Sequence, residues 1–255
     1  MRVWPIFKKE MRLYFTSPMA YVVIAVFLVL AGYFFFAIFD FFARASLQVA
    51  MNPQMGRDLS VTDSVLRPLF SNVSVILLLL MPLVTMRLFA EERRSGTIEL
   101  LLTYPVRDGA VLVGKFLAAL TLYAVMLVLT LLYPLLVFSF TRLEWGPVLT
   151  GYVGLLLLGA AFIAVGIFAS TLTENQIIAA MTTFGVLLLF WVIGWTADTV
   201  GGTAGRILSH LSLIEHFDNF GKGVLDTRDI VYYLSFIILA LFLSLRSLEA
   251  RRWKG

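Results

Sequence analysis

The sequence predicts an all-α polytopic membrane protein: six transmembrane helices, an interfacial elbow helix at the N-terminus, and short outer helices before the last span. Three observations carry that expectation. Of the 255 residues, 60% are hydrophobic and only 14% charged, with a mean hydropathy of +0.91; a water-soluble domain of this length needs more charge to cover its surface. The charges avoid six long runs and crowd between them, a membrane pattern and not the basic face of a nucleic-acid binder, despite the net charge of +4. The runs are uniformly apolar, without the alternation of barrel strands. Cysteine is absent, which excludes disulfides and thiolate metal sites.

The first element is RVWPIFKKEMRLYF, residues 2–15. Val3, Trp4, Phe7, Met11, Tyr14 and Phe15 recur at helical spacing, and Lys8, Lys9 and Arg12 cluster apart from them. Basic residues beside Trp and Phe suit an interfacial helix over 1–17, facing anionic lipid headgroups with Trp4, Phe7, Lys8, Lys9 and Arg12. Ser17-Pro18 then starts a new helix, a serine cap followed by proline at the first helical position.

Charge-free runs at 19–39, 68–86, 116–141, 145–173, 175–197 and 230–245 place spans at about 19–41, 68–88, 114–140, 148–170, 175–196 and 229–248, all in one transmembrane domain, 1–255. Each needs roughly 20 residues to cross ~30 Å of hydrocarbon. The last run is short and is completed if Arg246 snorkels and Leu248 joins it. The first is too long for the apolar core of a cleaved signal peptide. With both termini in the cytoplasm of a prokaryotic cell, the inner segments carry thirteen Lys and Arg and the outer ones seven, which orients the bundle.

GAVLVGKF, residues 109–116, is one letter from a phosphate-binding loop: Gly109, Gly114 and Lys115 fit G-x-x-x-x-G-K-[ST], but Phe116 replaces the hydroxyl residue. No strand leads into it, and phenylalanine cannot hold magnesium. Lys115 reads instead as the inner lip of the third span, its ammonium reaching toward headgroups. The chain is not expected to be an enzyme or to hold a cofactor or metal. The spans contain no ionisable relay of the kind that marks an ion-driven carrier, so the protein is either passive or driven by something else.

The longest inner segment, RLFAEERRSGTIELLLTYPVRDG (87–109), reads as two short helices parted by Ser95-Gly96. The first extends the second span and carries Glu91, Glu92, Arg93 and Arg94. The second is capped by Thr97, contains Glu99, Leu100 and Leu101, and stops before Pro105. It is either a charged loop that enforces orientation or a docking element for a partner. In the fourth span Gly159, Gly166 and Ser170 put small residues on one face for close helix packing, within the chain or at a dimer seam. The rings of the first span (Tyr21, Phe27, Tyr33, Phe34, Phe35, Phe36 and Phe39) suit an aromatic belt or lipid contact. His210 and His216 are six apart, not the i, i+4 pair of two ligands on one helical face.

Four blocks together carry a resemblance: MPLVTMRLFAEERRSGTIELLLTYPV (81–106), GKFLAAL (114–120), GIFASTLTENQIIA (166–179) and LSLIEHFDNFGKGVLDTRDIVYYLS (211–235). With the F-x-S-P entry at Phe15–Pro18, the chain resembles the permease subunits of type-2 ABC exporters, most of all the gliding-motility-associated branch. The resemblance implies a coupling segment over about 89–106 in which Glu91, Glu92, Arg93, Arg94, Thr97, Glu99, Leu100 and Leu101 meet a cytosolic ABC ATPase. It also implies an outer cap over 198–228. Two ATPase chains and a second permease chain, identical or similar, would complete an inner-membrane exporter, with ATP and Mg bound by the ATPase. Membrane lipid and an accessory envelope protein are further expected partners, and nucleic acid is not. The alternative implied by the same blocks is a scaffold or mechanical coupler that translocates nothing.

Overall fold

A computed structural model describes residues 3–51, 60–96, 107–140 and 144–252. Helix makes up 92% of the structure, and no strand occurs among the described residues. The helices are α1 (Val3–Thr16), α2 (Pro18–Met51), α3 (Arg67–Thr85), α4 (Arg87–Arg94), α5 (Asp108–Thr130), α6 (Leu132–Phe140), α7 (Trp145–Leu172), α8 (Gln176–Val200), α9 (Gly202–Leu211), α10 (Leu213–Gly221) and α11 (Thr227–Arg252). A short π-helical turn, Thr62–Leu66, leads into α3.

Six helical stretches are long and apolar enough to cross a bilayer: Pro18–Met51, Thr62–Arg94, Asp108–Phe140, Trp145–Leu172, Gln176–Thr196 and Thr227–Ala250. Two of them are broken by proline. Pro82 lies inside α3, where its ring crowds the carbonyl of Leu78, and the helix resumes as α4 beyond Met86. Pro134 has no N–H to give the Thr130 carbonyl, and the third span divides at Leu131 into α5 and α6. The Thr130 hydroxyl turns to the Leu127 carbonyl and pairs with Tyr152 at 3.1 Å.

α7 is the axis of the bundle, packed against α3, α4, α5, α8, α10 and α11. Its glycines make that possible. A Cβ on Gly159 would stand 2.2 Å from the Tyr123 ring of α5, and one on Gly166 would stand 2.0 Å from Thr85 Oγ1 of α3. Both glycines are therefore occupied by helices of the same chain. α2, α8 and α11 lie outside this core and expose much of their apolar surface, as helices at a lipid boundary do. The rings of α2 divide between two environments. Tyr33 and Phe36 face outward, but Phe27 is completely buried and Phe35 stacks on Tyr133 of α6 at 4.9 Å.

Candidate functional site at the α4 end

α1 turns its apolar stripe into the protein. The inward side chains are Val3, Ile6, Phe7, Glu10, Met11 and Tyr14, while Trp4 and Phe15, expected in the stripe, are exposed. The stripe packs along the start of α5, and Gly114 is the crossing point. A Cβ there would meet Ile6 Cγ2 at 2.8 Å and the Val3 carbonyl at 3.3 Å, whereas nothing lies within 4 Å of Gly109. The spacing that mimics a phosphate loop thus belongs to a continuous helix in which one glycine admits α1.

Lys115 follows, and it does not reach headgroups. It is 1% exposed. Its ammonium donates to Glu10 Oε1 at 2.8 Å and lies 3.0 Å from Glu92 Oε2. It also sits 5.1 Å over the Phe89 ring, a cation–π contact that adds to the carboxylates. Lys9, expected at the headgroups with Lys8 and Arg12, donates instead to Glu92 Oε1 at 2.9 Å and lies 3.9 Å from Glu10. Lys8 and Arg12 remain exposed. Two ammonium groups and two carboxylates from α1, α4 and α5 therefore close a neutral quartet. Partial burial pulls Lys9 down, but the hydrogen bond and charge of Glu92, with the charge of Glu10, outweigh it, and the net shift is upward. The reason for the quartet is electrostatic. An unpaired charge in such surroundings costs several kcal/mol, so each member requires the others.

Glu10 is the residue that sequence reasoning missed. It sits in the polar triplet Lys8-Lys9-Glu10, yet its three- and four-residue spacing from Phe7 and Tyr14 puts it on the apolar face. That position was the available signal.

α4 is fastened to the core at two further points. Ser170 Oγ of α7 accepts from the backbone N–H groups of Phe89 and Ala90, each at 3.0 Å, and donates to the Met86 carbonyl at 3.1 Å. One hydroxyl thus reaches three backbone groups at the start of α4, among them the Phe89 N–H, one of the four that a helix start leaves without an intrahelical partner. Arg93 donates to the Thr171 carbonyl at 2.9 Å and to Glu174 at 3.0 Å, beyond the end of α7. The four charges expected to face a partner therefore divide. Glu92 and Arg93 point inward and hold α4 in place; Glu91 and Arg94 are exposed, and Glu91 pairs with Arg87 at 3.2 Å. α4 ends at Ser95, with Gly96 at φ +70°, where a left-handed residue closes a helix. Thr97, Glu99, Leu100 and Leu101 lie outside the described residues.

At the opposite end α10 drives Phe217 and Phe220 against α7 at Gly154, where a Cβ would stand 2.5 Å from Phe220. His216 Nδ1 and Asp229 Oδ1 are 2.6 Å apart, and Asn219 donates to the other Asp229 oxygen at 2.8 Å. Tyr232 stacks on His216 at 3.9 Å, and Arg228 bonds His210. A polar cavity of about 230 Å³ opens beside these groups. Both histidines are committed to side-chain partners, and no trio of His, Asp or Glu among the described residues is grouped to hold a metal.

A family model described as "ABC-2 family transporter protein" matches residues 4–204, from α1 to the start of α9. No curated protein matches the sequence.

Proposed function

The chain belongs to the ABC-2 transporter family, and from that premise we propose that it is the permease subunit of an ATP-driven exporter, worked through α4 by a separate ATPase. The family makes the chain a multi-pass membrane component of an ABC transporter and implies an ATPase partner. Beyond that, we read both termini and α4 as cytoplasmic, in the inner membrane of a prokaryote. The complex contains two ATPase chains, which bind ATP and Mg, and a second permease chain. The four sequence blocks taken together favour the gliding-motility-associated branch.

One observation carries this reading. α4 is fastened at three points to two spans: to α7 by Ser170, to the end of α7 by Arg93, and to α5 by Glu92 and Lys115. A load on α4 is thereby delivered to the helices that line the bundle, as alternating access between two packed states requires. Glu91 and Arg94 are the exposed charges of the coupling segment, about 89–106, that we assign to the ATPase contact. Ion pairs there set orientation more than affinity.

The test is a charge reversal restricted to the exposed pair, Glu91→Lys with Arg94→Glu, in the complex purified from native membranes in mild detergent. Permease-stimulated ATP turnover falls about tenfold, the scale of a 1–3 kcal/mol coupling free energy, with chain yield and melting unchanged. Full turnover in that variant removes α4 as the input. ATP turnover by the isolated polypeptide would remove the reading altogether.

A further inference from the structure

We infer that α1 is a moving part of this permease: it travels as one body with α4 and the first turns of α5, and does not stand in the interface as a fixed anchor. The inference rests on the function proposed above and adds the path that the load takes. Three observations carry it.

The first is contact. At Gly114 the two helices approach so closely that even a methyl group would collide with Ile6. Sliding α1 by one turn along α5 would bring side chains with a Cβ into that notch: Ala110 or Val111 on one side, Leu117 or Ala118 on the other. The second is charge. Glu92 of α4 is shared between Lys9 of α1 and Lys115 of α5, while Lys115 is shared between Glu92 and Glu10 of α1. Moving α4 or α5 away leaves a net charge on the two helices that remain. Moving α1 away leaves Glu92 and Lys115 as a pair, but takes from Lys115 its 2.8 Å contact with Glu10 and from Glu92 its 2.9 Å contact with Lys9. The full set of contacts therefore forms in one register of the three elements. The third is freedom elsewhere. Between α1 and α2 the chain passes through Ser17 and then Pro18, which has no N–H to continue the helical ladder. The outer face of α1 carries Trp4, Lys8, Arg12 and Leu13, all exposed. Such a face can move along an interface; the ties that the motion must accommodate are the Tyr21 hydroxyl on the Phe15 carbonyl at 3.1 Å and the Tyr14 hydroxyl on the Val84 carbonyl at 3.4 Å.

A stroke that reaches Glu92 therefore enters α5 through Lys115 and takes α1 with it, hinging at Ser17-Pro18. Lys115 and Glu10 are positioning residues; they touch neither nucleotide nor substrate.

The chain has no cysteine, so paired spin labels can be placed without background. Trp4→Cys with Val128→Cys reports α1 against α5, and Trp4→Cys with Leu189→Cys reports α1 against α8; all three positions are more than half exposed. Pulsed dipolar distances are measured in the purified complex, nucleotide-free and trapped with MgATP and vanadate. The expected result is an α1–α5 distance that stays the same and an α1–α8 distance that shifts. A companion variant, Ile6→Cys with Gly114→Cys, is oxidised to a disulfide and keeps the ATP turnover of its reduced form. A changed α1–α5 distance, an unchanged α1–α8 distance, or turnover lost on oxidation each overturns the inference. A wild-type chain that purifies with no ATP turnover removes the proposed function first, and this inference with it.

Discussion

The two ends of the bundle solve the same problem with different reach. At the cap end, the buried contact between His216 and Asp229 spans 13 residues, and its neighbour Asn219 lies 10 residues from the same aspartate. At the α4 end, Lys115 and Glu10 are 105 residues apart, and Lys9 and Glu92 are 83 apart. A local contact fixes how a short helix leaves the span that follows it. A distant one binds elements that could otherwise move independently. The difference teaches that the buried polar contact of the cap seats α10 on α11, whereas the quartet is a buried joint between separate parts of the fold; the long tie at the cap, Asp218 with Arg67 of α3 at 2.7 Å, is partly exposed.

Breaking the joint should cost more than unseating α10. Lys115→Met leaves Glu10 and Glu92 buried with only half-exposed Lys9 for compensation, and should lower stability by about 3–5 kcal/mol. Melting in detergent checks this, and the double variant Glu10→Gln with Lys115→Met should recover part of the loss, because Lys9 and Glu92 remain a matched pair. The corresponding change at the cap, Asp229→Asn, retains an acceptor for His216 or Asn219 and should cost about 1–2 kcal/mol. Its mark should be local: faster proteolysis between α9 and α11, with ATP turnover of the complex kept. A variant that stops turnover at the cap while leaving α4 intact would erase the distinction.

The glycine pair sharpens the comparison within one helix. Gly114→Ala should destabilise by about 1–3 kcal/mol through overpacking against Ile6. Gly109→Ala, which meets nothing within 4 Å, should stay within about 0.5 kcal/mol of wild type. Equal effects would mean that the motif serves something other than the crossing of α1.

The smallest effects are in pH, and they have opposite signs at the two ends. Burial raises the Asp218 carboxyl at the cap end, but hydrogen bonds and charges from Lys222 and Arg67 outweigh it and hold the group below its ordinary range. Its contribution is present above the unfolded value near 4 and is lost as pH falls through the lower folded value. Lys9 is shifted up, so its contribution is present below the unfolded value near 10.4 and lost as pH rises through the folded one. Acid should therefore loosen α10 first, and alkali α1 first. Hydrogen exchange resolved by segment reads both.

The spans are legible in the sequence because charge avoidance is a property of each run alone; the reading of 114–140 as one span passes over Pro134, whose missing N–H divides it at Leu131. The helix stop at Ser95-Gly96 is readable for the same reason: it depends on a local residue and its backbone. The joint is not. Lys115 beside an apolar run reads as a membrane lip, and only its fold-mediated neighbours, Glu10 and Glu92, turn it inward. Ser170 is recognisable as a small residue that admits another helix. Its three hydrogen bonds depend on where the fold sets the start of α4, with Met86, Phe89 and Ala90 beside α7. Among Glu91, Glu92, Arg93 and Arg94 the composition shows four equivalent charges; helical phase against α5 and α7 decides which two face out.

The length of α2 has a geometric consequence. Its 34 residues make a rod of about 51 Å at 1.5 Å per residue, against a hydrocarbon layer of about 30 Å. Absorbing the excess by leaning alone would take an angle of more than about 50°, outside the range of about 0–40° that such rods adopt. Part of it must therefore stand in water, and Asp40 paired with Arg44 at 2.9 Å marks where it emerges. From there to Met51 the helix continues as a post some two to three turns tall beyond the hydrocarbon.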